Sequence, residues 1–367
     1  MRIGSRTGSL VGLLAVLTPL LLALATARGP SAAAEDGTTG VPPGSVVVLS
    51  ANLREGSLVV NAADRRDDRD LRTFARRMVA RAGRATPDVL VLQEVRGSAD
   101  RAARVLNARL RAKGSPARYR VLTRPRMTMS SRACGPVRRP GRHLVLRDTA
   151  ILVNRATLRR VHGTGVMRTW GRWWERAGCA ENPWVRLTVQ RPGEAARTVT
   201  VLGVHVAPHG PRWKTRALRR MPGFVERHRG AADLAVLAGD FNHVRCPVRR
   251  LRPAGTGCEV RPGYRALAAA GYVDTVRATA RSGPTPAGVS DRIDFIFTDG
   301  RARAAWFDRC YLAFRATGCA DGSFTSEAEH VTCMVRHDLH GSPGEGCSPA
   351  AYLRYYSDHH FLLARMS

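Results

Sequence analysis

The chain has 367 residues, 44% of them hydrophobic, enough to bury a real core as one large domain or two ordinary ones. Its formal net charge is +30, from 59 Lys and Arg against 29 Asp and Glu, and every basic residue except Lys113 and Lys214 is an arginine. A field of that sign draws polyanions such as nucleic acid or acidic lipid surfaces, while the lack of any second apolar span of about 20 residues excludes a polytopic membrane protein.

Residues 1–34 have the pattern of an export signal: Arg2 and Arg6 lead, Leu10 to Ala25 is apolar, and small residues follow. A Gly-, Thr- and Pro-rich linker, 35–44, then precedes one domain expected over 45–367. The eight cysteines all follow the signal, an even number that fits disulfides in an oxidising compartment, and they lack the paired close spacing of a zinc site. Sequence order gives Cys134–Cys179, Cys246–Cys258, Cys310–Cys319 and Cys333–Cys347, one of about 105 pairings that eight cysteines allow.

Ser45 to Ser50 is a β-branched apolar strand that delivers Asn52 at its end. Asp70 to Ala82 carries Leu71, Phe74, Met78 and Val79 at helical spacing among arginines, and so predicts an amphipathic helix. Asp88 to Val95 is a second buried strand, ending in Gln93-Glu94. A helix over Ala99–Ala112 and a strand over Tyr119–Leu122 follow, then a polar loop. Leu144–Leu146 and Thr149–Asn154 read as a strand pair around Asp148. Trp170, Trp173, Trp174 and Trp184 stand among arginines, where they would stack bases, enter a membrane interface or pack beneath a disulfide-tied loop. Val185–Val189 and Thr198–Val206 form a hairpin that carries His205 at its far end. A basic helix over Lys214–Arg229 leads to the apolar run Leu234 to Ala238 and to Gly239-Asp240-Phe241-Asn242; strand, helix, strand is a crossover unit. A short helix near Tyr264–Ala270 and a strand over Asp291–Phe297, holding Asp294, come next. Residues 300–355, with four cysteines and little periodicity, read as a stapled insertion. A last strand opens on Ser357-Asp358-His359-His360.

Five strand-like runs therefore end in residues of catalytic type: Asn52, Glu94, His205, Asp240 with Asn242, and Asp358 with His359. Gln93-Glu94, Gly239-Asp240-Phe241-Asn242, Arg292-Ile293-Asp294-Phe295-Ile296 and Ser357-Asp358-His359, in this order, resemble the endonuclease/exonuclease/phosphatase superfamily, the group of deoxyribonuclease I, abasic-site endonucleases, neutral sphingomyelinases and inositol polyphosphate 5-phosphatases.

The resemblance implies an α/β (α+β) fold of the deoxyribonuclease I type. This is a four-layered αββα sandwich in which two mixed β-sheets pack face to face, helices lie outside, and the strand ends form one cleft. It also implies hydrolysis of a phosphoester with Mg²⁺, or Mn²⁺ or Ca²⁺. Glu94 would be the chief metal ligand, supported by Asn52 and Asp358, because a hard cation prefers oxygen donors. His359, held by Asp294, would be the general base. Asp240 and Asn242 would orient the attacking water and bind the phosphate. His205 would stand near the leaving oxygen as acid, with Asp148 as its partner, and His243 and His360 would be neighbours of the site at most. The expected function is a secreted, extracellular, monomeric, metal-dependent endonuclease acting on DNA. The alternatives are a sphingomyelinase-like enzyme working at a phospholipid membrane surface, and a basic binding protein without turnover.

Overall fold

The period of the apolar residues builds the framework. In a computed structural model, which describes residues 44–53, 69–82, 86–95, 99–123, 149–168, 181–206, 211–243, 261–279, 293–307 and 361–367, the first β-branched run is strand β1 (Val46–Asn52), buried along its length. Its side chains alternate. Val47, Leu49 and Ala51 pack with the helices, while Val46 and Val48 face the other way into a second apolar cluster. Strand β2 (Val89–Gln93) lies parallel to β1, and β12 (Leu362–Met366) lies antiparallel on its other side. With β3 (Tyr119–Thr123), β4 (Ala150–Asn154) and β11 (Ala302–Phe307) they form a mixed six-stranded sheet ordered β11-β12-β1-β2-β4-β3. Helices α1 (Arg69–Ala82) and α2 (Ala99–Ala112) cover its outer face through Leu71, Phe74, Met78, Leu106 and Leu110.

The second sheet is also mixed and six-stranded. Its order is β5 (Leu158–Arg168), β6 (Glu181–Val189), β7 (Arg197–His205), β8 (Leu234–Asp240), β10 (Asp294–Thr298) and β9 (Val273–Asp274). Strands β7 and β8 are parallel and joined by α3 (Pro211–Arg229), the crossover expected from the sequence. Short helices α4 (Pro262–Ala269) and α5 (Thr275–Thr279) complete the described elements. One apolar cluster draws Val46, Val48, Val91, Ile151 and Leu362 from the first sheet and Val185, Val199, Val236 and Ile296 from the second, so the sheets pack face to face. Another, with Leu218, Met221 and Val225 of α3 against Leu202, Leu237 and Phe297, covers the outer face of the second sheet. The layers run helix, sheet, sheet, helix.

At the end of the sandwich away from His205, the β6–β7 turn is tied to the first sheet. Arg191 donates to the buried Asp88 at 3.0 Å, and the Asp88 carboxylate also accepts from the Val47 N–H at 2.7 Å. Burial pushes the Asp88 carboxyl up, and the Arg191 cation opposes that shift. Ser45 donates to Glu194 nearby. These contacts fix how the two sheets sit at one end, and thereby how they meet at the other.

Four expectations differ from the structure. Strand β5 was not anticipated: Gly163 and Gly165 interrupt its pattern, and both lie under the ring of Trp184, whose Nε1 is 2.6 Å from where a Cβ on Gly165 would be. Trp184 itself is part of β6 and packs on the outer face of the second sheet against Phe224 and His228 of α3, with ring centroids 6.5 and 4.6 Å away. Residues 302–307 are not an irregular insertion but strand β11, paired with β12. The Thr149–Asn154 run is β4, whose partners are β2 and β3. The proposed signal, Leu144–Leu146, Asp148, Trp170–Trp174, all eight cysteines, Asp358, His359 and His360 lie outside the described residues.

Candidate active site

The strands that fill the sandwich with valine also supply its polar mouth. On β1 the inward positions run Val46, Val48, Ser50, Asn52; on β8 they run Leu234, Val236, Ala238, Asp240. On β7, Val199 and Val201 lead to His205 by the same two-residue step, and on β10 Ile296 shares its face with Asp294. Period two thus places Asn52, His205, Asp240 and Asp294 on the faces that meet between the sheets. Register aligns them as well, since His205 and Asp294 each pair with Asp240 on its two sides.

Glu94 reaches the same place differently. Strand alternation would put it on the helix-covered face, but its backbone is left-handed, with φ of 56°, and its carboxylate meets the Asn52 amide at 2.9 Å. Such a backbone is uncommon for a residue with a side chain, and strain of this kind clusters at functional sites.

The four side chains form one group. Asn52 Nδ2 donates to Glu94 Oε1 at 2.9 Å and to Asp240 Oδ2 at 3.3 Å, the second bond running from one sheet to the other. His205 Nε2 lies 3.8 Å from Glu94 Oε1 and 3.9 Å from Asp240 Oδ2. The Asp240 and His205 side chains are only 2% and 5% exposed, whereas Glu94 is 24% exposed and opens the group to solvent. Two carboxylates share one amide and one imidazole, so even with His205 protonated the group keeps surplus negative charge. That surplus, carried on hard oxygens, fits a divalent cation held by Glu94 and Asn52. Among the described residues no cluster of three or more His, Cys, Asp or Glu forms a cage for a metal, and Asp358, the third expected ligand, lies outside them.

Local bonds hold the Asp240 loop. Asp240 Oδ1 accepts from the Asn242 N–H at 2.7 Å, an Asx-type turn, and Asn242 adopts φ of 44°. Both Asn242 amide hydrogens are engaged, by Val206 O at 2.8 Å and Asp240 Oδ2 at 3.2 Å, so in this arrangement Asn242 aims Asp240. Beneath it, Phe241 packs edge-on against Phe295 and Phe297 at 5.6 and 5.4 Å, contacts each worth about 0.5–1.5 kcal/mol beyond burial.

Two neighbours were not singled out from sequence, and a third was ranked low. Asn182 is fully buried at the start of β6, and its Oδ1 accepts from the His205 N–H at 2.8 Å, fixing where the imidazole begins. Nothing in its surroundings in the sequence marks it. Lys214 lies half-buried on α3, where burial lowers its pKa while the Asp240 carboxylate acts the other way. His243 is 5% exposed, and burial, with Arg261 and Lys214 beside it, lowers its pKa to about 4.

The last shift makes stability depend on pH. The unfolded chain takes up a proton at His243 near pH 6.5, before the folded chain does near pH 4. Its contribution is complete above the upper value and is lost as pH falls through this window, to about 3 kcal/mol at 1.36 kcal/mol per pH unit. Urea titrations at pH 7 and pH 4 are expected to give a loss smaller by that amount in His243→Leu than in the native chain; equal losses would contradict the assignment.

Oxygen donors, a buried imidazole and a left-handed carboxylate thus meet at the joined ends of the two sheets. The model of the Endonuclease/Exonuclease/phosphatase family matches residues 49–359, and the chain belongs to that family, whose members are phosphoester hydrolases. No curated protein matches the sequence. Among solved structures the chain is similar to an endonuclease/exonuclease/phosphatase from Beutenbergia cavernae (17% identity, covering 88% of this chain and 71% of that one, TM-score 0.47). It is also similar to the human Nocturnin catalytic domain with bound sulfate (13%, 88% and 93%, 0.47) and to D. rerio TDP2 complexed with a single-strand DNA product (13%, 88% and 99%, 0.41). Divalent metal ions are typical of the family.

Proposed function

We propose that the protein is a secreted, monomeric, metal-dependent phosphodiesterase that cleaves DNA internally. The observation that carries this is the Asn52–Glu94–His205–Asp240 group, a negatively charged and largely buried centre in a protein of net charge +30. The small negative site suits a cation, and the positive whole suits a polyanionic substrate. Secretion is supported by the apolar run behind Arg2 and Arg6 and by the even number of cysteines.

Glu94 and Asn52, with Asp358, would hold Mg²⁺, or Mn²⁺ or Ca²⁺. When bound, such an ion offsets the charge that develops on the phosphoryl group. Asp240, aimed by Asn242 and by the Val206 N–H on its carbonyl, orients the attacking water. His359, steadied by Asp294, takes that water's proton. His205, positioned by Asn182, gives a proton to the leaving oxygen, with Asp148 as its partner.

The test is to incubate the oxidised, signal-free protein with supercoiled plasmid and, separately, with sphingomyelin liposomes, each with Mg²⁺ and with EDTA. Plasmid nicking that EDTA abolishes is expected. Headgroup release without nicking would replace the nuclease reading by a phospholipid one, and silence on both substrates would overturn it.

A further inference from the structure

Glu94 points into the site because one residue of the chain leaves the strand pattern, and what holds that residue lies behind it. On β2 the inward positions run Val89, Val91, Gln93, so alternation would send residue 94 to the helix-covered face. Instead the left-handed backbone of Glu94, with φ of 56°, shifts the pattern by one, and the fully buried Val95 joins the residues packed by the helices. Gln93 is the anchor before this turn. Its main-chain oxygen accepts from the Leu53 N–H at 3.0 Å. Its side-chain amide folds back from the mouth, donating to Ser50 Oγ at 3.2 Å and to Val91 O at 3.3 Å.

An amide at this position works against stability. Gln93 is fully buried at the end of a row of valines, and its Oε1 has no hydrogen-bond partner among the described residues. A buried acceptor left unpaired destabilises a fold, whereas apolar side chains of the same shape in place of both partners are close to neutral or better. Departures from local consistency of this kind are expected where function demands them. A left-handed backbone at a residue with a side chain is strained as well, and it persists only when its surroundings over-determine it. The two departures are neighbours in the chain: the amide that the core does not need precedes the strained residue that the site does.

We infer that Gln93 is a positioning residue for Glu94. By clamping the end of β2 to Ser50 and Leu53 it keeps the next residue left-handed and its carboxylate on Asn52, ready to hold a divalent cation. Gln93 itself touches neither ion nor substrate. This role deepens the metal-dependent reading and rests on it for the ion, though not for the aim of Glu94. Without the clamp β2 runs on as an extended strand, and the carboxylate swings toward the helix-covered face.

The double variant Ser50→Ala, Gln93→Met removes both partners of the buried bond while nearly keeping their shapes. Its melting temperature is expected to be unchanged or higher. Mn²⁺ titrated calorimetrically into the metal-free full chain is expected to bind it at least about tenfold more weakly than the native protein, the scale for losing a residue that orients a metal ligand. Thr149→Val is the control. Thr149 lies one step past the last paired residues of β2 and β4, as Gln93 does, and its hydroxyl is also buried and unpartnered among the described residues. This variant removes a polar group from the same layer without altering the residue before Glu94, and native affinity is expected. Equal Mn²⁺ binding by the double variant and the native protein would overturn the inference, as would an equal loss in Thr149→Val. A double variant that melts lower or does not fold would make the pair a structural one and overturn it too. If the native protein binds no Mn²⁺, the metal reading fails, and a crystal structure of the double variant still decides the aim. Glu94 is expected there with an extended backbone and its carboxylate away from Asn52; an unchanged left-handed Glu94 would refute the positioning role.

Discussion

Glu94→Gln is expected to reduce plasmid nicking at least about a hundredfold, the scale for loss of a metal ligand or of acid–base help, while leaving the melting temperature unchanged or higher. The two halves have separate causes. A glutamine can still present an oxygen to Asn52 Nδ2 and turn its amide hydrogens toward solvent, because this position is 24% exposed. The hydrogen bond survives, and the repulsion from Asp240 disappears. What is lost is the negative charge that makes the group attractive to a divalent cation, so recovery at raised Mg²⁺ should be partial. Asp240→Asn is less clean, since its Oδ2 accepts from both Asn52 and Asn242, and an amide nitrogen there would face two donors. Nicking by Glu94→Gln within tenfold of the native rate would remove Glu94 from the site. An activity loss accompanied by a fall in melting temperature would mean that the fold, not the site, had failed.

Gly239→Ala is expected to destabilise the protein by at least about 5 kcal/mol, in the exceptional range for one substitution. Gly239 pairs with Val204 between the parallel strands β7 and β8, with φ of 151°, and a Cβ there would lie 1.8 Å from the Val204 carbonyl oxygen. No rotamer change relieves a collision with backbone. Either the strands part or the register slips, and both take Asp240 away from His205. Gly193→Ala in the β6–β7 turn is the control. It also has positive φ, at 74°, but nothing lies within 4 Å of its Cβ position, so it should lose only the left-handed strain of about 1–2 kcal/mol. Chemical denaturation of the two variants separates contact from conformation, and equal losses would show that the close approach at Gly239 is not decisive.

In the sequence Gly239 follows the apolar run Leu234 to Ala238. In the structure it lies inside β8, and its role is the close approach of two backbones. Glu94 was expected in the site because a carboxylate stood at a strand end, yet simple alternation would have directed it to the opposite face; the left-handed backbone at that one residue corrects its aim. Strands β5 and β11 escaped for a shared reason. They form sheet edges, where partial exposure dilutes the period-two pattern, and in β5 the glycines under Trp184 add to this.

By itself the sequence determined the order of the main helices and of the buried strands, β5 and β11 apart, and it placed Asn52, Glu94, His205, Asp240 and Asp294 at strand ends. Buried strands write themselves as apolar runs, and the polar residues that close such runs mark the mouth of the sandwich. Only the tertiary structure decided which of these residues touch, that Asn52 bonds two carboxylates drawn from both sheets, that Asn182 holds His205, and that His243 packs against the start of α4. Those contacts join residues far apart in the chain, and their geometry depends on how two sheets pack, a relation that local periodicity does not encode.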